Sequence, residues 1–255
     1  MHDKVLTENM TWTEIKEAIE EGRDAVIIVV GSIEQHGPHL PTATDTLCGV
    51  AIAERIANKM GNALVAPAIR PGYSEHHMRF PGTISLRPEV LMEVIKDYCR
   101  CLARQGFKKI ILLPTHGGNF PVVEIAATQI FQELRATFPV KMAVYSDLTG
   151  FFEKQFSIAK ANGIEPGECG THAGECETSE ILAIDGDLVK LEKAEKGFTG
   201  SYTDAVDSKL ALQGIETISE NGVLGNPKGA TERMGNIYLD QMADFLAKAF
   251  KERLA

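Results

Sequence analysis

The sequence predicts an α/β fold of three layers, in which a mostly parallel central sheet is flanked by helices within a single domain, residues 1–255. Strand-like and helix-like segments alternate along the chain, a pattern typical of parallel strands joined by right-handed helical crossovers. The strand-like segments are short, continuous apolar runs, as expected for strands that helices cover on both faces. Because no repeat, low-complexity tract or linker interrupts the alternation, we predict one domain.

The predicted elements follow one another from the N-terminus. Thr11 and Glu14 have capping-box spacing and begin a helix that extends to about Glu21. The apolar run 24–30 is the first strand, and it ends at Gly31. The order then continues with helix 46–60, strand 64–69, helix 89–105, strand 109–114, helix 121–137, strand 140–145 and an amphipathic closing helix 235–253.

The composition excludes several classes of protein. The formal net charge is −9 without a basic cluster, which excludes a nucleic-acid surface because such a surface replaces phosphate counterions with cations. The longest apolar run, 25–31, is far shorter than the ~20 residues that span a bilayer. The N-terminus lacks the pattern of a signal peptide, and the five cysteines form no C-x-x-C pair. We therefore expect a cytoplasmic protein with reduced thiols, bound neither to membrane nor to nucleic acid.

Polar clusters follow the predicted strands. In open parallel sheets, ligands bind beyond the carboxyl ends of the strands. Residues 31–45 follow the first strand and contain Glu34, His36 and Asp45, and residues 115–119 follow the third strand and contain His116. A further cluster, residues 170–180, lies beyond the fourth strand. We expect these clusters to face one another in one crevice.

Carboxylates and imidazoles without thiolate pairs are a ligand set suited to zinc, manganese or ferrous iron. Glu34 and His36 are two residues apart, so an extended stretch would point both side chains the same way. Asp45, at the start of the next helix, could lie close to both residues and bridge two ions. Singly, each residue has an ordinary alternative: Glu34 as a solvated charge, His36 as a hydrogen-bonded loop residue, Asp45 as a helix cap. Their joint occurrence at strand exits favours metal binding.

In these motifs the chain resembles the creatininase (creatinine amidohydrolase) family. The matching stretches are 31–41 with Asp45, 80–83, 115–119, 172–179 and, more weakly, 225–231. The resemblance implies a hydrolase with two divalent ions per chain (zinc, manganese or iron), in which Glu34 and His116 hold one ion, His36 holds the other and Asp45 bridges. It also implies a small-molecule substrate such as a cyclic amide, and a homo-oligomer, often a hexamer.

Two departures from the family's name-giving enzyme stand out. That enzyme has Tyr and a metal-binding Glu where this chain has Gly117 and Gly118, and it places Trp residues around its substrate, whereas the one Trp here is Trp12. The chain is therefore predicted to be a different enzyme of the family. For the lost ligand we expect Glu175, which would share a helical face with His172 if the helix includes both.

The same cluster supplies the predicted catalytic groups. His172 matches the family's catalytic histidine and would pass a proton to the leaving nitrogen, while a water shared by two metals attacks the carbonyl. Glu177 is predicted to orient a ligand and support catalysis, and it stays a rival of Glu175 for the ligand position.

Two glycines and two loops supply the predicted substrate contacts. The N–H groups of Gly117 and Gly118, close to a helix start, suit an anionic oxygen, and Asn119 follows them. The loop after the second strand is expected to form a substrate wall, with Ser74 and His77 as its candidate contacts.

Three functions fit these observations. The favoured one is hydrolysis of a C–N bond in a small cyclic amide or formamide. The same site would also serve hydrolysis of a C–C bond in a cyclic inositol ketone. A non-catalytic protein that binds metal or phosphate at residues 115–119 is the third, although Glu34 and Asp45 would repel phosphate unless metals were present.

Overall fold

The computed structural model describes residues 4–201 and 203–255. Its strands are β1 (Ala25–Val30), β2 (Ala63–Val65), β3 (Lys109–Pro114) and β4 (Lys141–Val144). Its α-helices are α1 (Trp12–Glu20), α2 (Thr44–Met60), α3 (Pro88–Gln105), α4 (Asn119–Leu134), α5 (Leu148–Ala161), α6 (Pro166–Cys169), α7 (Glu175–Asp185), α8 (Asp204–Gln213) and α9 (Glu232–Leu254). None of these helices has both the length and the apolar character needed to cross a membrane.

The strands form one parallel sheet in the order β2-β1-β3-β4. β1 and β3 lie side by side at its centre, with Ile27 opposite Ile111. Both strands are almost entirely buried, which explains their continuous runs of apolar residues. The prediction of a parallel α/β sheet flanked by helices is confirmed.

Alternate residues of β1 divide the core between the two faces of the sheet. Ala25, Ile27 and Val29 pack in the cluster that contains residues of α2 and α9, while Val26 and Ile28 pack with α3 and α4. This division follows from the two-residue period of a strand and produces the three layers.

The end of the predicted second strand differs in the structure, whereas the start of the first helix agrees with its prediction. The second strand ends at Val65 rather than Ile69, because Pro67 lacks the N–H that a continuing ladder requires. Ile69 returns to the sheet as an isolated bridge with Val30. The predicted capping box is present: Thr11 accepts the N–H of Glu14, and Glu14 accepts the N–H of Thr11.

Candidate metal centre

Three elements bring the predicted metal ligands together at the carboxyl edge of the sheet. Glu34 and His36 follow β1, and His116 follows β3, its neighbour in the sheet. Asp45 lies in the first turn of α2, the helix that leads from β1 to β2. Because β2 and β3 lie on opposite sides of β1, this is the point where the strand order reverses and α/β sheets bind ligands.

The four side chains form a compact, buried cluster. His116 Nδ1 lies 3.1 Å from Glu34 Oε2 and 3.6 Å from Asp45 Oδ2. The other oxygen of Asp45, Oδ1, lies 3.5 Å from His36 Nε2, which is also 3.7 Å from Glu177 Oε2. Asp45 therefore directs one oxygen toward each of two histidines. Two groups of potential ligands result, Glu34–Asp45–His116 and His36–Asp45–Glu177, and they share Asp45.

Backbone carbonyls fix the tautomers of these histidines. His116 Nε2 lies 2.9 Å from the carbonyl oxygen of Tyr73, and His36 Nδ1 lies 3.1 Å from that of Glu34. A carbonyl oxygen only accepts hydrogen bonds, so these two ring nitrogens carry the protons. When the rings are neutral, His116 Nδ1 and His36 Nε2 are the nitrogens without a proton, and both face the carboxylates, as metal coordination requires.

Three buried atoms of the cluster have no hydrogen-bond partner among the described residues: Glu34 Oε1, His36 Nε2 and Asp45 Oδ2. Buried polar atoms without partners are costly, and buried charges are normally paired or bound to metal. Divalent ions would satisfy all three atoms. The oxygen and imidazole donors, without a thiolate, match zinc, manganese and ferrous iron, so the residues present fit the predicted metals.

The proton affinities of the cluster agree with a cation site. Burial opposes the charged form of His36, yet Asp45 and Glu177 outweigh it and raise its pKa to about 10. Burial also opposes the charged form of His116, but Glu34 and Asp45 raise its pKa to about 9. Burial raises the pKa of Glu177 to about 7, against the attraction of His36. Protons thus occupy positions from which bound metal ions would displace them.

Glu175 does not join this cluster, contrary to the expectation from its spacing. Its carboxylate accepts hydrogen bonds from Ser179 Oγ and Tyr238 OH, both at 2.7 Å. The reason is that α7 begins at Glu175, so His172 lies in the preceding loop and shares no helical face with it. The structure instead brings Glu177 to His36.

The segment before α7 directs Glu177 and His172 into the centre. Ala173 adopts a left-handed φ of 52° and donates its N–H to Glu177 Oε2. His172 Nε2 lies 2.8 Å from the carbonyl oxygen of Gln35 and 2.9 Å from its side-chain nitrogen, and Nδ1 lies 3.7 Å from Glu34 Oε1. Burial lowers the pKa of His172 well below its usual range, which keeps the ring neutral. Glu34, His36 and His172 form a third group of potential ligands.

Gly118 has no room for a side chain. A Cβ atom there would lie well inside van der Waals contact of the carbonyl oxygen of Tyr73 and near His116 Nε2. Gly117 is different, because the nearest atom to a Cβ there is Leu148 Cδ2 at 4.0 Å. Both glycines line the cleft above the cluster.

Of the other predicted substrate contacts, the structure brings His77 to the cleft but not Ser74 or Asn119. His77 Nε2 lies 3.3 Å from Glu34 Oε1. Ser74 is fully buried, with its Oγ 2.6 Å from Ser32 Oγ. The Asn119 side chain donates to the carbonyls of Val30 and Gly31 and accepts the N–H of Tyr73. Ser74 and Asn119 therefore stabilise the surrounding loops through hydrogen bonds and do not line the cleft.

A cleft of about 420 Å³ opens above the cluster. Two of its features were not predicted: the α8 wall and the ring of His76, which stacks on His116 with 5.4 Å between ring centroids. Gln35 was also missed, although it stands between the two predicted ligands of the first motif. Its side-chain nitrogen lies 2.9 Å from His77 Nδ1 and donates to the carbonyl of Gly222 at 3.1 Å, which holds His77 in the cleft.

Comparisons with known proteins agree with this geometry. The family model described as creatinine amidohydrolase (Creatininase) matches residues 8–250. The mycofactocin precursor peptide peptidase of Mycolicibacterium smegmatis is 30% identical, over 89% of this chain and 84% of that protein. The 3-dehydro-scyllo-inosose hydrolase of Thermotoga maritima is 32% identical, over 97% of this chain and 83% of that protein. A solved creatininase variant of the Zn-Zn type superposes with a TM-score of 0.83 at 27% identity, covering 99% of both chains.

Proposed function

The chain belongs to the creatininase family, and we propose that it is a binuclear metal-dependent amidohydrolase that cleaves the C–N bond of an amide. The observation that carries the proposal is the position of Asp45, whose two carboxylate oxygens face two different histidines. Glu34, Asp45 and His116 would hold one ion, and His36, Asp45 and Glu177 the other. We therefore assign the last ligand position to Glu177 rather than Glu175.

When bound, two divalent ions would activate a water molecule and polarise the scissile carbonyl. The residues around them supply the proton transfers. His172 is held against Gln35 at its Nε2 while its Nδ1 faces Glu34, and the ring would carry a proton to the leaving nitrogen. Gly117 and Gly118 lie at the N-terminal end of α4, where backbone N–H groups suit the carbonyl oxygen of a substrate.

The alternatives weighed from the sequence fare differently. Attack on a ketone by the same activated water would break a C–C bond, so the ligand set serves that reaction too. A phosphate-binding role is disfavoured because the described residues that line the cleft include no Lys or Arg. A homo-oligomer, hexameric by family resemblance, and a cytoplasmic location remain predictions.

Metal content tests the proposal directly. After dialysis, the purified protein is expected to retain about two divalent ions per chain, the stoichiometry of a two-metal site. Asp45→Asn should lower occupancy at both positions, because it removes the charge that the two ions share. Asp97→Asn, a change of the same type at an exposed side chain, is the control. Undiminished metal in Asp45→Asn would defeat the bridging assignment.

A further inference from the structure

The walls of the cleft are mainly apolar, although its floor is polar. They include Leu210 and Ala211 of α8, together with Ile215 and Leu224. Further apolar lining comes from α4, α5 and the loop after β2: Pro121, Leu148, Phe152 and Tyr73. Apolar walls above a few convergent polar groups are typical of ligand sites, in which the walls bury the ligand and the polar groups orient it.

Away from the proposed metal positions, the described walls of the cleft offer no cationic side chain to an anionic group. Among the described residues that line it, none is Lys or Arg, and the acidic ones are Glu34 on the floor and Asp207 of α8. Phosphate and carboxylate groups are normally recognised by Arg or Lys. A substrate with either group away from the metal positions would find neither Arg nor Lys among the described residues of the walls.

The cleft is also large. Its volume of about 420 Å³ lies in the range of roughly 300–1,000 Å³ that holds drug-sized ligands. A side pocket of about 200 Å³ shares Thr171 and Leu224 with the cleft and extends it past Gly167 and Gly200. A single small ring or a formamide would leave most of this space to water, whereas an extended chain would fill it.

We propose that the substrate is an uncharged, extended amide of the kind a peptide presents, with an apolar side chain next to the scissile bond packed against Leu210. This inference rests on the proposed amidohydrolase function and narrows its substrate class. In the reaction, the oxygen of water bonds to the carbonyl carbon, the C–N bond breaks, and the leaving nitrogen takes a proton, giving an acid and an amine. Leu210 is suited to set specificity because α8 contributes no residue to the metal groups.

A peptide series tests the substrate class. The metal-loaded protein is incubated with N-acetylated, C-amidated peptides that differ only at one central position (Leu, Phe, Ser or Asp), and products are measured by mass spectrometry. A lactam, a formamide and a cyclic polyhydroxy ketone are assayed in parallel. We expect cleavage beside Leu or Phe and much slower cleavage beside Ser or Asp. Turnover of the small compounds alone, equal cleavage of all four peptides, or no peptide cleavage would each overturn the inference.

A matched pair of variants on α8 tests the wall itself. Leu210→Glu places a charge in the cleft, whereas Leu212→Glu places it at a side chain that is 81% exposed on the same helix. Leu210→Glu should raise KM for the Leu peptide about tenfold or more, as expected for a lost hydrophobic pocket contact, with kcat little changed. Leu212→Glu should leave both constants unchanged.

Equal KM values for these two variants would refute the role of Leu210. Metal content separates this failure from that of the proposed function. If the protein binds two ions and hydrolyses only small amides, the proposed function stands and the inference is refuted. If it binds no metal, both are refuted.

Discussion

Glu175 and Glu177 are two residues apart at the start of α7, and they allow a matched test of the metal centre. Replacing either by Gln removes the same charge from the same helix turn. Glu177 faces His36, at 3.7 Å, whereas Glu175 accepts hydrogen bonds from Ser179 and Tyr238. We expect Glu177→Gln to lose the ion on the His36 side and Glu175→Gln to retain both ions, the reverse of what spacing along the sequence suggested.

The magnitudes separate the two variants. Groups that merely orient a ligand cost about 10–100-fold in metal affinity when removed. Glu177 is itself one of three side chains in its group, so Glu177→Gln should weaken that ion at least about 100-fold. Glu175→Gln places an amide NH₂ against a hydroxyl donor, a mismatch that should cost roughly 1–3 kcal/mol of stability without touching the metals.

Metal analysis and thermal unfolding measure these outcomes together. Both variants are dialysed against a buffered metal solution, assayed for metal per chain, and unfolded with and without a chelator. At a metal concentration well above the Kd of the weakened site, a 100-fold weaker site gives about 2.7 kcal/mol less stabilisation. Glu177→Gln with two ions at undiminished affinity, or Glu175→Gln with one, would refute the assignment of the ligand.

Three further outcomes are expected. His172→Ala should keep both ions and lose about 10²–10⁴-fold in turnover, since the substitution removes a proton carrier. If the variant protein used for the kinetic measurements has lost metal, His172 is a ligand instead. Gly118→Ala should destabilise the protein by roughly 1–3 kcal/mol in urea unfolding, because its Cβ overlaps the carbonyl of Tyr73, while Gly117→Ala should be near neutral. Burial raises the pKa of Glu180 from 4.5 to about 8. The stability that this buried acid contributes to the metal-free protein below its unfolded pKa is therefore lost as pH rises through about 8. Glu180→Gln should remove this contribution to the slope of the unfolding free energy against pH, which is at most about 1.4 kcal/mol per pH unit. An unchanged dependence of the unfolding free energy on pH would contradict this expectation.

The sequence predicted those helices and strands whose buried side chains form a recognisable apolar pattern along the chain. β1 and β3 were found because helices on both faces require continuous apolar runs. α8 was not predicted, because its described side chains are exposed or half-buried and leave no apolar stripe. α5 was missed as well: it begins with Leu148 and the poor helix former Gly150, and the cap from Asp147 to the N–H of Gly150 helps to start it.

In the site, too, some residues were predictable from the sequence and others were not. The convergence of Glu34, His36 and His116 was predictable because strand order fixes where strand exits lie. The choice between Glu175 and Glu177 depended on where α7 begins, and each residue of error there turns a side chain by about 100°. Tertiary contacts decide which polar loop residues face the cleft, and the sequence alone does not contain them.

Gly118 and Glu177 are two parts of one arrangement. The carbonyl of Tyr73 that leaves no room for a side chain at Gly118 is also the acceptor that fixes the His116 tautomer. A carboxylate at position 118 would displace this carbonyl and with it the orientation of His116, so the second metal group needs its carboxylate from another element. α7 provides it in its first turn, as α2 provides Asp45, and in both places the positive end of a helix stabilises the negative charge. Gly118 is therefore compatible with the proposed two-metal centre because Glu177, 3.7 Å from His36 Nε2, offers a carboxylate in its place.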